Sequence, residues 1–207
     1  MHERCYFDQI APRWDDMRQT YFSERVRDRA LSEVRVRRRK LAADVGAGTG
    51  FITEGLIRHG VQVLAIDESL PMLQVLRRKA FGAAGLHCCV GGAERLPVRA
   101  GAVDYVFANM CLHHVVHPAA AIGEMARILK KGGTLIITDL DEHAFAFLTV
   151  ERTDRWMGFR REDMHTWFAE AGLKDIVVGD TEERACVPSD SSDDCADISI
   201  FIARGTK

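Results

Sequence analysis

Five short stretches of the chain, 41–45, 61–67, 86–91, 103–109 and 134–140, are nearly continuous aliphatic runs. Runs that are apolar throughout, rather than alternating, predict strands buried on both faces, as in a parallel sheet. Between them, 51–59, 70–81 and 118–129 repeat apolar residues every three or four positions, which predicts crossover helices. Gly60 and Gly82 follow two of these helices and Pro118 suits a first helical turn. Gly132-Gly133 is expected to close the third helix before the next strand. The alternation amounts to four βα units in a doubly wound, mostly parallel α/β sheet. The remainder predicts a helix over 161–171, a strand over 175–179, a polar loop and a strand over 198–204. No helical pattern separates the last two strands, so they are expected to pair as an antiparallel hairpin at the sheet edge.

The first forty residues predict a helical prelude. Eight positive charges fall in the sixteen positions from Arg25 to Lys40, a density that suggests nucleic-acid binding. Glu24, Asp28 and Glu33 interleave, however, and Val26, Leu31, Val34 and Val36 leave an apolar stripe, so a solvated helix face is the better reading. Across the 207 residues the formal charge is −2, which gives no global attraction to nucleic acid or anionic lipid. With 47% apolar and 28% charged residues, a sizeable core is expected. No apolar run approaches the ~18 residues of a membrane helix, and the opening Met-His-Glu-Arg does not read as a signal peptide, so a cytoplasmic protein is expected. The pattern suits a monomer or a homodimer alike.

Six cysteines without a C-x-x-C pair read as thiols rather than a disulfide framework. Cys88, Cys89 and Cys111 lie in or beside apolar runs and are expected to be buried. Cys186 and Cys195 flank the polar loop, where thiols are accessible but two ligands short of a tetrahedral metal site. No metal is expected.

The most informative stretch is Asp44-Val45-Gly46-Ala47-Gly48-Thr49-Gly50-Phe51, a buried strand entering glycines and then a helix. Glycine lets the backbone turn sharply and approach a ligand, beside helix N–H groups that can bond it. A nucleotide-like ligand is implied. The dinucleotide fingerprint needs a third glycine where Phe51 stands, and a Walker A loop needs a lysine that is missing here. The second strand ends on Asp67, whose two oxygens can accept both hydroxyls of a ribose. Capping the helix near Leu70 is better left to Ser69.

The acid followed by G-x-G-x-G resembles the first motif of the class I S-adenosylmethionine-dependent methyltransferases. A series of further segments resembles the ubiquinone and menaquinone biosynthesis branch and its small-molecule relatives: Asp67-Glu68-Ser69-Leu70-Pro71-Met72-Leu73, Gly91-Gly92-Ala93-Glu94-Arg95-Leu96-Pro97, Asp104-Tyr105-Val106-Phe107-Ala108-Asn109, Leu112-His113-His114 and Arg127-Ile128-Leu129-Lys130-Lys131-Gly132-Gly133. The match covers 41–140, about half the chain. It implies a Rossmann-like fold and S-adenosylmethionine as cofactor, with S-adenosylhomocysteine as product. Asp44, Gly46, Ala47, Gly48 and Gly50 would form its first binding loop, and Asp67 would hold the ribose. Glu68 and Met72 would border the adenine, Ala93 with its neighbours Gly92 and Glu94 would meet the adenine edge, and Asn109 would lie by the methionyl amino group. The family commonly carries an acid where this chain has Gly92, a role for which Glu94 is the substitute at hand. The whole chain then reads as one methyltransferase domain: a helical lid over 1–40, a cofactor-binding core over 41–140, and a substrate-side insertion, last helix and hairpin over 141–207. Ala11-x-x-Trp14-Asp15 after Phe7 also resembles the family's start, and Gly158-Phe159 through Leu173 its last helix.

Methyl transfer from a sulfonium is an in-line displacement governed by proximity, with a general base only where the acceptor must lose a proton. His113, His114, Asp139, Asp141 and His143 sit on loops at the ligand-binding edge, and His114 and Asp139 are the expected catalytic residues. Tyr6, Phe7, Trp14, Tyr21 and Trp156 are expected to line a substrate-selecting lid, although Phe7, Trp14 and Trp167 read equally as core. The acceptor is expected to be a small molecule, and Cys186 and Cys195 raise a soft acceptor such as a thiol or arsenic. A non-catalytic S-adenosylmethionine-binding or partner-binding module and an NAD-dependent oxidoreductase are the alternatives.

Overall fold

The computed structural model describes residues 3–207. Its strands are β1 (Leu41–Val45), β2 (Gln62–Asp67), β3 (Leu86–Val90), β4 (Val103–Asn109), β5 (Leu129–Leu140), β6 (Lys174–Pro188) and β7 (Cys195–Thr206). They form one sheet in the order β3-β2-β1-β4-β5-β7-β6. The first five run parallel, and β7 is antiparallel to both β5 and β6. Chain order reverses between β1 and β4, which opens a crevice at the carboxyl ends of those strands.

The continuous apolar runs are explained by cover on both faces. Tyr105 and Phe107 of β4 pack with helices α3 (Arg25–Ser32) and α4 (Phe51–Arg58) through Leu31, Ile52 and Leu56. Val106 and Ala108, one residue out of step, pack with α6 (Pro118–Ile128) and α8 (Arg161–Glu170) through Ile122, Met125 and Phe168. Phe107 is fully buried, so Phe107→Ala should cost about 3–5 kcal/mol. Helix α5 (Leu70–Lys79) seats Leu73 and Leu76 against Ala65. Ahead of the sheet lie α1 (Glu3–Ile10), a 3-10 turn and α2 (Trp14–Tyr21), while the short α7 (Phe147–Glu151) interrupts the stretch between β5 and α8.

Helix α6 ends at Ile128, and Leu129 is already extended, so the glycine pair lies inside β5 and not at a helix end. The cause is the C-terminus: Gly132 N–H donates to Lys207 O, and Lys207 N–H donates to Gly133 O, which draws this segment into the sheet. The terminal hairpin is also longer than expected. Thr181, Ala185 and Val187 point inward while charged residues face water, so half of this strand carries the composition of a loop. A bulge between Asp180 and Arg184 hides the alternation further. Cys186 and Cys195 therefore stand on paired strands, exposed, with their sulfurs 2.8 Å apart.

The arginine-rich segment folds onto the core. Val26, Ala30 and Leu31 of α3 are buried, Arg27 is buried and paired with Glu24, and Arg29 pairs with Glu33. Among the described residues no helix is long and apolar enough to cross a membrane.

Candidate functional site

Strand β1 runs into the glycine loop at the crevice. Gly46 has φ +68°, and a Cβ there would collide with the side chain of Cys111, so this position accepts only glycine without rearrangement. The N–H groups of Gly46 and Ala47 both donate to Ile66 O, at 2.9 and 3.0 Å, tying the loop to β2. At the end of β2, Asp67 accepts from Gly48 N–H at 2.7 Å with one oxygen and from Ser69 N–H at 2.8 Å with the other. Each oxygen keeps a further lone pair for a ligand. Burial raises the Asp67 pKa, and the two backbone N–H groups oppose it. Ser69 caps α5 by accepting from Met72 N–H at 3.2 Å, which leaves Asp67 to the crevice.

A cavity of about 480 Å³ occupies the crevice, within the range of small-molecule sites. Of the twelve residues expected at a cofactor, it is lined by Gly46, Ala47, Gly48, Asp67, Glu68, Met72, Ala93, Glu94 and Asn109. Asp44, Gly50 and Gly92 are not among its walls. Asp44 is buried behind the loop and accepts from Thr53 Oγ1 at 2.6 Å, which fixes α4 to β1. Burial pushes its pKa up to about 7 against that hydrogen bond. Gly50 holds the left-handed N-cap of α4 against Leu76, and the space a Cβ would need at Gly92 is taken by the Glu68 carboxylate.

The prelude closes the cavity from above. Phe7, Trp14, Arg18 and Phe22 line it, and a Cβ on Gly48 would sit 3.7 Å from Trp14 Nε1. Arg18, which nothing but its place on α2 could have flagged, is buried, bonds Glu24 at 2.7 Å, and lies 4.4 Å over the ring of Phe51. The residue whose bulk departs from the dinucleotide fingerprint thus holds an arginine at the cavity wall.

A second cavity of about 60 Å³ adjoins the first and shares Phe7, Trp14, Phe22, Met110 and His114 with it. Tyr6, Tyr21, Arg152 and the inward residues Ala185 and Val187 of the hairpin complete much of its wall. Tyr6 and Tyr21 have raised pKa values, chiefly from burial, with Arg152 opposing. His114 borders both cavities, whereas Asp139 borders neither: it is fully buried and accepts from His113 Nδ1 at 2.5 Å and from Leu112 and Leu140 N–H at 2.8 Å. Burial raises the Asp139 pKa, but His113 and the backbone donors more than offset it, so the net shift is downward. Asp139 therefore meets the cavity only through His113, which lines it. Met110, at the junction of the cavities, has φ +48°, a strained conformation of the kind that gathers at functional sites. Asp141 is committed to Arg161 at 2.6 Å, and Trp167 packs on Phe159 in the core. Beside the expectation of no metal stands a cluster of His113, His114 and Asp154 whose donor atoms all lie within 4.8 Å of one another. Asp154 comes from the stretch between β5 and α8, where no sequence spacing could tie it to a histidine forty residues earlier.

Residues 43–137 match the family model described as a methyltransferase domain. The chain is 31% identical to a demethylmenaquinone methyltransferase of Thermobifida fusca, over 79% of this chain and 69% of that one. It is 30% identical to 2-methyl-6-phytyl-1,4-hydroquinone methyltransferase 1 of Oryza sativa, over 76% of this chain and 48% of the rice protein, so it spans about half the length of that relative. A SAM-dependent methyltransferase structure from Thermotoga maritima superposes with a TM-score of 0.70 at 21% identity, covering 97% of this chain and 98% of that one, and shares its fold. The chain belongs to the class I S-adenosylmethionine-dependent methyltransferases of the ubiquinone and menaquinone type. The family's cofactor is S-adenosylmethionine.

Proposed function

We propose that the protein transfers a methyl group from S-adenosylmethionine to a small-molecule acceptor whose reacting end enters the second cavity. The observation that carries this reading is the larger cavity, where nine motif residues from four strand ends meet at the strand-order reversal. Its walls fit the cofactor: a cradle that a Cβ at Gly46 would fill, a carboxylate with free lone pairs at Asp67, and a buried arginine. When bound, the cofactor supplies a methyl group already activated by a positive sulfur.

The chain's own task is placement. The backbone of Gly46, Ala47 and Gly48 would face the methionyl and sugar parts, and Asp67 the ribose hydroxyls. Glu68 and Met72 would border the adenine, Ala93 and Glu94 its edge, and Asn109 the amino group. Arg18 would meet the carboxylate, the one anionic group of such a ligand. Asp44, Gly50 and Gly92 support these residues without touching the ligand. The α1–α3 prelude acts as the lid of a single domain spanning the chain, its aromatic rings excluding water from the junction of the cavities. Holding both reactants in line can supply ~7–11 kcal/mol of the barrier. Where the acceptor carries a proton, His114 borders both reactants. The two relatives are named for methylating a demethylmenaquinone and a methyl-phytyl hydroquinone, which supports a small-molecule acceptor here.

Incubation with methyl-labelled S-adenosylmethionine and a panel of small phenols, amines and thiols tests the reading. Label should move to at least one acceptor class. Cofactor binding with no transfer to any of them would favour a binding module.

A further inference from the structure

The second cavity holds a group of side chains that methyl transfer from a sulfonium does not require. His113 Nε2 and His114 Nδ1 each lie 3.9 Å from Asp154 Oδ1, and the three donors fall within 4.8 Å of one another. All three residues line this cavity, and His113 and Asp154 are buried. From these positions we infer that His113, His114 and Asp154 form a binding site for a divalent first-row transition-metal cation.

Two nitrogens and one carboxylate oxygen are the donor set of open, three-ligand sites that leave positions for water or substrate. Metal bonds of about 2.0–2.2 Å set neighbouring donors ~3.0–3.5 Å apart, so the two contacts at 3.9 Å need to close by roughly 1 Å or less and no pair by more than ~2 Å. The outer support is already built. Asp139 holds His113 Nδ1 at 2.5 Å, which fixes the ring with Nε2 on the side of Asp154, the carboxylate-to-histidine arrangement found behind metal sites. Asp139 is itself fixed by the Leu112 and Leu140 N–H groups. Asp154 follows Thr153, a β-branched residue at φ +63°, a conformation that only the surrounding structure can impose. A carboxylate at 7% exposure needs compensating positive charge, and a divalent cation supplies it while leaving both imidazoles neutral. Nearby, His143 accepts from Phe145 N–H at 3.2 Å and keeps a buried Nε2 without a partner among the described residues.

The cation's remaining positions would face the cavity's occupant. On the methyl-transfer reading, that makes the acceptor an oxygen compound, such as a phenol or enol. Bound to the cation, its hydroxyl loses its proton to solvent more readily, and the oxygen pair forms the bond to the methyl carbon as the carbon–sulfur pair returns to sulfur. His113 and His114 then serve as ligands and not as bases.

The test needs no cofactor and so fails or succeeds apart from the methyl-transfer reading. Metal-free protein is titrated with Co²⁺ and followed by visible absorption. One equivalent should bind with micromolar affinity, giving ligand-field bands without thiolate charge transfer. Affinity should fall at least tenfold in the near-isosteric Asp154→Asn and in His114→Gln, and stay unchanged in the double variant Cys186→Ser/Cys195→Ser, which removes the exposed thiol pair. No saturable binding below millimolar Co²⁺, thiolate charge transfer, or equal affinity in Asp154→Asn would overturn the site.

Discussion

The hydroxyl of Thr49, in the glycine loop, donates to the carboxylate of Asp15 on α2 at 2.5 Å. Lys79 Nζ joins the pair, 2.8 Å from Asp15 and 3.1 Å from Thr49 O, and a second lid carboxylate, Asp8, accepts from Ser69 Oγ at 2.6 Å. The prelude is thus latched to both loops that frame the larger cavity.

Removing one latch should loosen the lid more than it unfolds the protein. Asp15 is a third exposed, so its hydrogen bonds are worth ~1 kcal/mol after solvent screening. Asp15→Ala should weaken S-adenosylmethionine binding about fivefold in calorimetry and lower the melting temperature by only a few degrees.

Asp44 should make stability fall as pH rises. Its folded pKa of about 7 lies above the ordinary 3.8, so between those values the folded state holds the proton more tightly. The stabilisation is complete below about pH 4 and is lost as pH rises through 7, by up to a few kcal/mol. Asp44→Asn keeps an oxygen for Thr53 and removes the titration. Denaturant unfolding at pH 5 and pH 8 should show a larger drop in the wild type than in this variant.

Two glycine substitutions should separate backbone demand from ligand contact. Gly46→Ala combines positive φ with a collision against Cys111 and should cost about 2 kcal/mol or more. At Gly92 the obstacle is only the free end of Glu68, so Gly92→Ala should cost under ~1 kcal/mol. By displacing that carboxylate it should nevertheless weaken cofactor binding severalfold, which tests the place given to Glu68.

Asp139 acts on the cavity only through His113. Asp139→Asn turns one carboxylate oxygen into an NH2 donor, which faces either the Leu112 N–H or the Leu140 N–H together with His113 Nδ1, and it removes the negative charge that holds the imidazole. Turnover should fall roughly 10–100-fold, with the KM for S-adenosylmethionine within threefold.

Much of this arrangement is legible in the residues themselves. A strand buried on both faces has little choice but continuous aliphatic sequence, so β1, β2 and β4 announce themselves, and Gly46, first of the glycines between Val45 and Phe51, marks backbone that passes close to Cys111. The terminal hairpin is half readable, because Thr181, Ala185 and Val187 alternate with charges and a bulge breaks the period. Arg18 and Asp154 are not readable at all. Arg18 is one polar residue on an amphipathic helix until Phe51 stacks beneath it, and Asp154 is an acid in a loop until the fold carries it to His113. Asp44 shows the converse: the motif's leading acid holds the loop from behind.

The most direct measurement is a calorimetric titration with S-adenosylmethionine and S-adenosylhomocysteine, with NAD as control. One site of micromolar affinity for the first two, weakened at least tenfold in Asp67→Ala and absent for NAD, is the predicted result. Binding of NAD in their place, or equal affinity in Asp67→Ala, would contradict the assignment of the larger cavity.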